Sequence, residues 1–138
     1  MKKALKKYPA PSSQGAVSIS EAEWSVMELL WGKSPQTSPD LCAALEKSHH
    51  WKRATVMTLL NRLIKKKVVS TEEEGRRWLY SAAVARNRCV SRETRGFLDR
   101  LFHGALLPMV AHCLEHEELS EKEIDELRAL LNRSKSKS

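Results

Sequence analysis

The chain lacks the long apolar run and the paired cysteines that would place it in a membrane or outside the cell. No stretch approaches the roughly 18 consecutive apolar residues of a membrane span, and the N-terminal KKALKK is basic but has no signal-peptide apolar core. Three scattered cysteines, Cys42, Cys89 and Cys113, are too few for a disulfide framework. These absences predict a cytoplasmic protein with reduced thiols and no membrane insertion.

Recognisable catalytic motifs are also missing. The sequence has no glycine-rich phosphate loop, no His-Glu-x-x-His zinc motif and no Gly-x-Ser-x-Gly nucleophile elbow. Its adjacent His49 and His50 point apart on a helix or a loop, so they do not resemble a chelating pair. We therefore expect a protein that is not an enzyme and that needs no cofactor.

Acidic residues are scarce in the N-terminal part of the chain. The net charge is +7 and the pI is about 9.5. Residues 1–82 hold 14 Lys and Arg against 8 Asp and Glu, whereas residues 83–138 hold 10 against 9. This asymmetry predicts a polyanionic partner for the N-terminal part. A length of 138 residues with 41% apolar content allows one compact unit with an extension.

Capping patterns predict the first two helices. Residues 1–17 combine lysines, prolines and serines with little to bury, so they are predicted to form a disordered basic arm. Ser20 and Glu23 have the spacing of a capping box and open a helix over about 20–32. Thr37 and the Pro39 that follows it then open a second helix, after a turn made by KSPQ.

The strongest pattern lies in residues 51–67, WKRATVMTLLNRLIKKK. Its apolar residues recur at helical spacing and define a core face: Val56, Leu59, Leu60, Leu63 and Ile64. The opposite face carries small polar, amide and basic side chains and no acid: Ala54, Thr55, Thr58, Asn61, Arg62 and Lys65. Such side chains suit DNA phosphates and base edges. The alternative at this point is a solvated basic face on an ordinary helix.

A β-hairpin is predicted over residues 68–82. β-branched residues precede the polar turn EEEGR, and RWLY alternates as a strand does. Three helices followed by a hairpin predict a winged helix-turn-helix, with the third helix in the major groove. Arg76 and Arg77 at the hairpin tip then contact the flanking DNA backbone, or alternatively serve only to solvate the turn.

The remaining residues predict amphipathic helices. Their apolar faces exceed what three short helices enclose by themselves, which favours a dimerisation arm that pairs with a second copy. The residues predicted to form this interface are Phe97, Leu98, Leu101, Phe102, Leu107, Val110, Leu114, Ile124, Leu127 and Leu130. The predicted fold is thus mostly α with a small β-hairpin, comprising a winged helix-turn-helix domain at 18–83 and a helical dimerisation domain at 84–134. The final NRSKSKS is expected to fray.

The chain resembles the BlaI/MecI/CopY family of bacterial penicillinase, methicillin-resistance and copper-responsive repressors. The segments that carry the resemblance lie between Ile19 and Leu131: ISEAEWSVMELLW, a Trp followed by TVMTLLNRLIKKK, EGRRWLYSAAV, FLDRLFHGALLPMVAH and LSEKEIDELRALL. The resemblance implies a homodimeric transcriptional repressor that covers an inverted-repeat operator in double-stranded DNA.

The resemblance also implies roles for individual residues of the basic helix. Thr55, Thr58, Asn61 and Arg62 would face the major groove, and Lys65 would contact the backbone. Where many relatives open this helix with Ser-Pro-Lys-Thr, this chain has Lys52 and Arg53 followed by Ala-Thr, which removes one lysine and a proline but adds two basic groups at the start of the helix. The glycine that usually ends the helix is replaced by Lys67.

The inducing signal has two candidates within the family. In β-lactam-responsive members a membrane sensor protease cuts the repressor, and the matching bond here joins Gly96 to Phe97, although relatives commonly have Asn before the Phe. Copper-responsive members end in a Cys-x-Cys motif that this C-terminus lacks. His112, Cys113 and His116 remain weak metal candidates, since two ligands at i, i+4 need others to complete a site. Outside the family, a winged-helix module that binds an acidic protein is the alternative.

Overall fold

The computed structural model describes residues 18–116 and 119–137. The predicted basic arm, residues 1–17, lies outside the described residues. The chain divides into two compact units, with the boundary between Thr94 and Arg95. The first unit therefore extends past residue 83, which sequence analysis gave as the end of the winged-helix domain. The domain bounds of 18–83 and 84–134 stay a prediction.

Two capped helices open the first unit. In α1 (Glu21–Gly32), the Ser20 hydroxyl accepts a hydrogen bond from the Glu23 N–H (3.1 Å), and the Glu23 carboxylate accepts one from the Ser20 N–H (2.8 Å). In α2 (Ser38–His49), the Thr37 hydroxyl accepts from the Asp40 N–H at 3.2 Å. Both predicted starts are confirmed, because these caps satisfy N–H groups that a helix leaves unpaired.

The third helix, α3 (Arg53–Lys65), supplies the centre of the core. Val56, Leu59, Leu60 and Leu63 are buried, and Ile64 is half-buried, so the predicted core face is confirmed. These residues join one apolar cluster with side chains from α1, α2 and the hairpin, including Val26, Met27, Leu30, Leu41, Leu45, Val68, Val69 and Tyr80. Burial of this face fixes the rotation of α3 about its own axis.

The chain turns from α3 into the hairpin at Lys67. This residue has a φ of 66°, in the left-handed region that favours glycine. Left-handed backbone costs a residue with a side chain about 1–2 kcal/mol, and the burial of Val68 and Val69 directly after the turn offsets it. The turn is thus made by a lysine, as the sequence indicated.

A three-stranded antiparallel sheet closes the core on one side. Its strands are β1 (Gln36–Thr37), β2 (Val69–Glu74) and β3 (Arg77–Ala82), in the order β1-β3-β2. The predicted hairpin is confirmed, with register pairs from Val69 opposite Ala82 to Glu74 opposite Arg77. Strand β1 lies where sequence analysis predicted only a turn, because a two-residue strand is too short to show alternation.

Helix α4 (Arg86–Phe102) begins in the first unit and continues into the second. The second unit also contains α5 (Leu106–Glu115) and α6 (Glu121–Lys137). At the start of α6, the Ser120 hydroxyl accepts a hydrogen bond from the Glu123 N–H, and the Glu123 carboxylate accepts one from the Ser120 N–H. The expectation that the tail frays is wrong, since α6 continues to Lys137. Its last turns lack Gly and Pro, and their basic residues suit the negative end of the helix dipole.

Across residues 18–116 and 119–137, none of the helices combines the length and apolarity needed to cross a lipid bilayer.

A buried carboxylate links α1 to the end of α3. Glu23 is 1% exposed, and its Oε1 accepts a hydrogen bond from the Lys66 ammonium at 2.6 Å. The same ammonium donates to the Ser18 carbonyl at 2.6 Å. Burial raises the pKa of Glu23, but hydrogen bonds from Lys66 and Ser20 together with the Lys66 charge outweigh it, so the pKa lies below its ordinary value of 4.5.

This depressed pKa predicts acid sensitivity. Ionised Glu23 stabilises the fold above pH 4.5, and the contribution is lost as the pH falls through the lower, folded-state pKa. We expect the free energy of unfolding, measured with urea between about pH 6 and pH 3, to fall less steeply in Glu23→Gln than in the wild-type protein. The exposed Glu72→Gln serves as a control that keeps the wild-type slope. Parallel curves for Glu23→Gln and wild type would contradict the assignment.

Candidate nucleic-acid interface

The outward face of α3 presents the polar residues that sequence analysis assigned to DNA. All of the assigned side chains on or next to this helix are exposed: Lys52, Arg53, Thr55, Thr58, Asn61, Arg62 and Lys65. They are exposed because the apolar face of the same helix is held in the core. The helix itself contributes two threonines, an amide and three basic groups with no carboxylate, a set that can donate hydrogen bonds to phosphate oxygens and base edges.

The start of α3 departs from the usual rules of helix stability. Its N-cap residue, Lys52, makes no capping hydrogen bond through its side chain, and the first turn holds no acid. Instead Lys52 and Arg53 place positive charge at the positive end of the helix dipole, where it is unfavourable for the isolated chain. An anion bound near this end would relieve both the charge and the unpaired N–H groups.

Aromatic packing holds the turn that precedes α3. The rings of His49 and Trp51 lie 4.4 Å apart between centroids, tilted by 32°. His49 Nδ1 and the Ser48 hydroxyl are 2.7 Å apart, and His50 takes a left-handed φ of 59° that ends α2. These contacts hold the connection between α2 and α3, and they give His49 partners within the fold.

The charge of Lys66 is paired within the protein. Lys66 is one of the six basic residues of the stretch 51–67, but its ammonium is bound by Glu23 and the Ser18 carbonyl. The positive charge available to a polyanion near α3 therefore comes from Lys52, Arg53, Arg62 and Lys65, all exposed, with Lys67 at the turn. Periodicity could not reveal this, because the partner lies 43 positions away.

The hairpin tip combines arginines with carboxylates. Gly75, with a φ of 65°, and Arg76 form its two-residue loop, and Arg76 is exposed. Arg77 donates from Nη2 to Glu74 at 2.8 Å, so its charge is partly neutralised within the hairpin. Arg76 is thus the better placed of the two predicted arginines for contact with a phosphate.

One hairpin residue was missed by sequence analysis. Trp78 is 51% exposed, although it lies on the same face of β3 as the buried Tyr80. The alternation of RWLY was interpreted only as a strand signal. The same alternation places Trp78 on the core face of β3, two residues before Tyr80 and close to the turn. The hairpin extends beyond the core there, so Trp78 stays exposed.

The second unit exposes much of the apolar surface predicted for dimerisation. Of the assigned residues, Phe97, Leu101, Leu107, Leu114 and Leu130 are exposed in the single chain, whereas Leu98 is buried and the other four, Phe102, Val110, Ile124 and Leu127, are partly buried.

The candidate cleavage bond lies within α4. A Cβ added at Gly96 would meet no atom within 4 Å, so neither space nor backbone geometry requires glycine there. A glycine inside a helix weakens it by about 1 kcal/mol relative to alanine. The bond to Phe97 therefore lies in a locally weakened turn.

The weak metal candidates are only partly brought together. The rings of His112 and His116 stack with 4.2 Å between centroids, and His116 Nδ1 lies 2.9 Å from the His112 carbonyl. Cys113 is half-buried. In the part of the chain that the structure describes, no group of three or more His, Cys, Asp or Glu side chains is arranged to hold a metal ion.

Comparison with known proteins identifies the family. A family model described as Penicillinase repressor matches residues 19–133. The Penicillinase repressor of Bacillus licheniformis is 34% identical over 119 residues, which cover 86% of this chain and 93% of that protein. The Penicillinase repressor of Staphylococcus aureus is 32% identical over 116 residues, 84% of this chain and 92% of that protein.

Among solved structures, the chain is similar to the Bacillus licheniformis BlaI monomeric form in complex with the blaP half-operator. The two share 32% sequence identity, with a TM-score of 0.47, and the match covers 51% of this chain and 87% of that one. Because the family model spans most of the chain and the two repressors align over most of their own length, the chain belongs to the penicillinase repressor family of DNA-binding transcriptional repressors.

Proposed function

We propose that the protein represses transcription as a homodimer bound to an inverted-repeat operator. Each protomer places α3 in the major groove of one half-site. The observation that carries this proposal is the outward face of α3, where exposed threonine, amide and basic side chains occur without a carboxylate. A helix that buries one face in a small core and presents such a set on the other matches the recognition helix of a helix-turn-helix.

Within this proposal the side chains of α3 divide by chemistry. Arg62 and Asn61 have the paired donors and acceptors that recognise guanine and adenine edges, respectively. Thr55 and Thr58 supply hydroxyl and methyl groups for smaller contacts in the groove. Lys65, with a long flexible stem and a compact charge, suits a backbone phosphate, as do Lys52 and Arg53 at the start of the helix.

The first test is selection of bound sequences from a random duplex pool by the purified full chain, followed by a salt series on the winner. If each protomer neutralises about four phosphates, log K falls against log salt with a slope near −7, and the selected duplex exceeds random DNA by roughly a thousandfold. We expect one inverted repeat to be enriched. A winged-helix module that binds an acidic protein would enrich no sequence and would show no such preference.

Selection repeated with Cu(I), with Zn(II) and with chelator separates the two signal classes. Enrichment that is independent of metal moves the search for the signal to a sensor protease acting near Phe97. Enrichment that is lost with one metal would instead assign sensing to His112, Cys113 and His116, completed by ligands from a second chain.

Two variants of α3 test the division between base reading and backbone contact. We expect Arg62→Ala to weaken operator binding by about 1–3 kcal/mol and to relax base preference at one position of each half-site. Lys65→Ala, the matched control on the same face, weakens binding to all sequences alike. Equal and sequence-blind losses from both variants would show that Arg62 does not read a base.

The homodimer is proposed from the apolar surface of the second unit. Leu107 is 76% exposed in the single chain and Leu101 is 50% exposed. Exposed leucines occur singly on many monomers, but large apolar side chains exposed on each of three helices support a surface that a second copy covers.

One substitution at this surface separates assembly from folding. We expect Leu107→Glu to sediment as a monomer at concentrations where the wild-type protein sediments as a dimer, because a carboxylate is costly to bury in an apolar interface. Its thermal unfolding should remain cooperative, since the side chain is exposed in the single chain. Lys122→Glu, on α6, also introduces a carboxylate but at an exposed polar site, and it should remain dimeric. A dimeric Leu107→Glu would place the interface elsewhere.

Release from the operator is proposed to follow cleavage at the bond between Gly96 and Phe97 by a membrane sensor protease. Cutting α4 there would separate the DNA-binding unit from the segment proposed to hold the dimer together. The monomer would then keep only half-site contacts and lose the gain from binding two half-sites at once.

A substitution at Gly96 tests whether this glycine makes the turn around the proposed cleavage bond easier to open. We expect Gly96→Ala to slow tryptic cleavage after Arg95 about fivefold, since alanine stabilises a helix interior by about 1 kcal/mol and proteolysis follows the population of the opened helix. Cleavage after Arg128 in the same molecules is the internal reference and should not change. An unaltered rate after Arg95 would show that glycine does not loosen this part of α4.

A further inference from the structure

A cluster of four side chains ties α1 to the start of α4 within the first unit. We call Trp24, Glu28, Trp31 and Arg86 the α1–α4 clamp. Arg86 donates from Nε and Nη2 to the two oxygens of Glu28, both at 3.0 Å. Trp24 Nε1 donates to the same carboxylate at 3.1 Å. The hydrogen bonds from Arg86 are the main reason that the pKa of Glu28 lies below its ordinary value.

The two tryptophans extend the clamp to the linker between β3 and α4. Trp31 Nε1 donates to the Val84 carbonyl at 2.9 Å, and the Arg86 guanidinium carbon lies 5.9 Å from the centroid of the Trp31 ring. Trp24 packs edge-on against Trp31, with ring centroids 5.0 Å apart. The backbone before α4 and the first residue of α4 are therefore both attached to α1.

The position of Arg86 is unexpected from helix stability alone. It is the first residue of α4, where a positive charge opposes the helix dipole, and the first turn of α4 holds no acid. Its ion pair with Glu28 is about half-exposed, and exposed pairs contribute little to folding. A bidentate arginine–carboxylate pair fixes the relative orientation of its two side chains. Here it fixes the direction in which α4 begins relative to α1.

Helix α4 makes that direction important. It runs for 17 residues without interruption and carries Phe97 and Leu101 of the proposed dimer surface. At 1.5 Å per residue the part of α4 that belongs to the first unit, residues 86–94, spans about 12 Å, so a change of about 10° at its first residue moves the end of that part by about 2 Å. That displacement is more than half of one base-pair step of about 3.4 Å.

We propose that the α1–α4 clamp determines which spacing of half-sites the dimer accepts. By fixing how α4 leaves the DNA-binding unit, Arg86 and Glu28 act as positioning residues that select operators by geometry, while α3 selects them by sequence. This inference rests on the proposed homodimer on an inverted repeat.

The test uses the full chain on a duplex series in which the two selected half-sites are separated by spacers that differ by single base pairs, together with a duplex that holds one half-site. The variants are Arg86→Gln, Glu28→Gln and the double variant. Arg128→Gln is the matched control, because it removes the same charge from a side chain that is 75% exposed on α6. Thermal unfolding of each variant accompanies the binding measurements.

We expect the wild-type protein and Arg128→Gln to prefer one spacing. Arg86→Gln and Glu28→Gln should bind the single half-site within about twofold of wild type, because α3 is untouched, while their preference for the best spacing falls by about tenfold or more, as for modules joined by a flexible linker. The double variant should be no worse than either single variant, since all three remove one shared interaction.

Two results would overturn the inference. An unchanged spacing profile in both single variants would show that the clamp does not position α4. Equal losses on the half-site and on the full operator would show that the cluster supports the fold of the DNA-binding unit instead. Failure of the proposed dimer is visible separately, because the wild-type protein itself would then accept every spacing equally.

Discussion

The burial of one face of α3 is the constraint on which the rest of the molecule depends. Val56, Leu60 and Leu63 are completely buried and Leu59 is nearly so, so α3 cannot rotate about its axis without exposing them. A rotation of one residue, about 100°, would turn an apolar side chain outward and a polar one into the core. The same burial that stabilises the first unit therefore decides which side chains face a polyanion.

The ends of α3 show how stability and function divide along one helix. At its C-terminal end, Lys66 is bound to Glu23 and the Ser18 carbonyl, and Lys67 takes a left-handed conformation that brings Val68 into the core. At its N-terminal end, the N-cap residue Lys52 makes no side-chain capping hydrogen bond, and Arg53 places a positive charge at the positive end of the helix dipole. Local rules are broken at functional positions more often than elsewhere, and this end of the helix breaks them where DNA is proposed to bind.

Much of the fold could be predicted because its signals are local. The capping box at Ser20, the core stripe of α3 and the alternation of β3 depend on residues within a few positions of one another. Strand β1 could not be predicted, because two residues show no period and their pairing with Tyr80 and Leu79 comes from packing. The exposed face of α3 was predicted residue by residue, since fixing the buried face leaves only one face for solvent.

The parts of the site that sequence did not reveal are long-range contacts between charges. The partner of Lys66 lies 43 positions away, and Glu28 lies 58 positions from Arg86. Helical periodicity assigns each such residue to a surface but not to a partner. The extension of α6 through NRSKSK was missed for the opposite reason, since polar composition was taken to indicate fraying although the segment contains no helix breaker.

Glu23 and Glu28 both lie on α1, and each of them binds a basic residue from a different part of the first unit. Glu23 accepts from Lys66, just after α3, and Glu28 accepts from Arg86, at the start of α4. In the proposed function, these two carboxylates of α1 support the helix that reads the half-site and the helix that carries part of the dimer surface. Sequence preference and spacing preference would then be separable properties, because α1 supports each through a different ion pair.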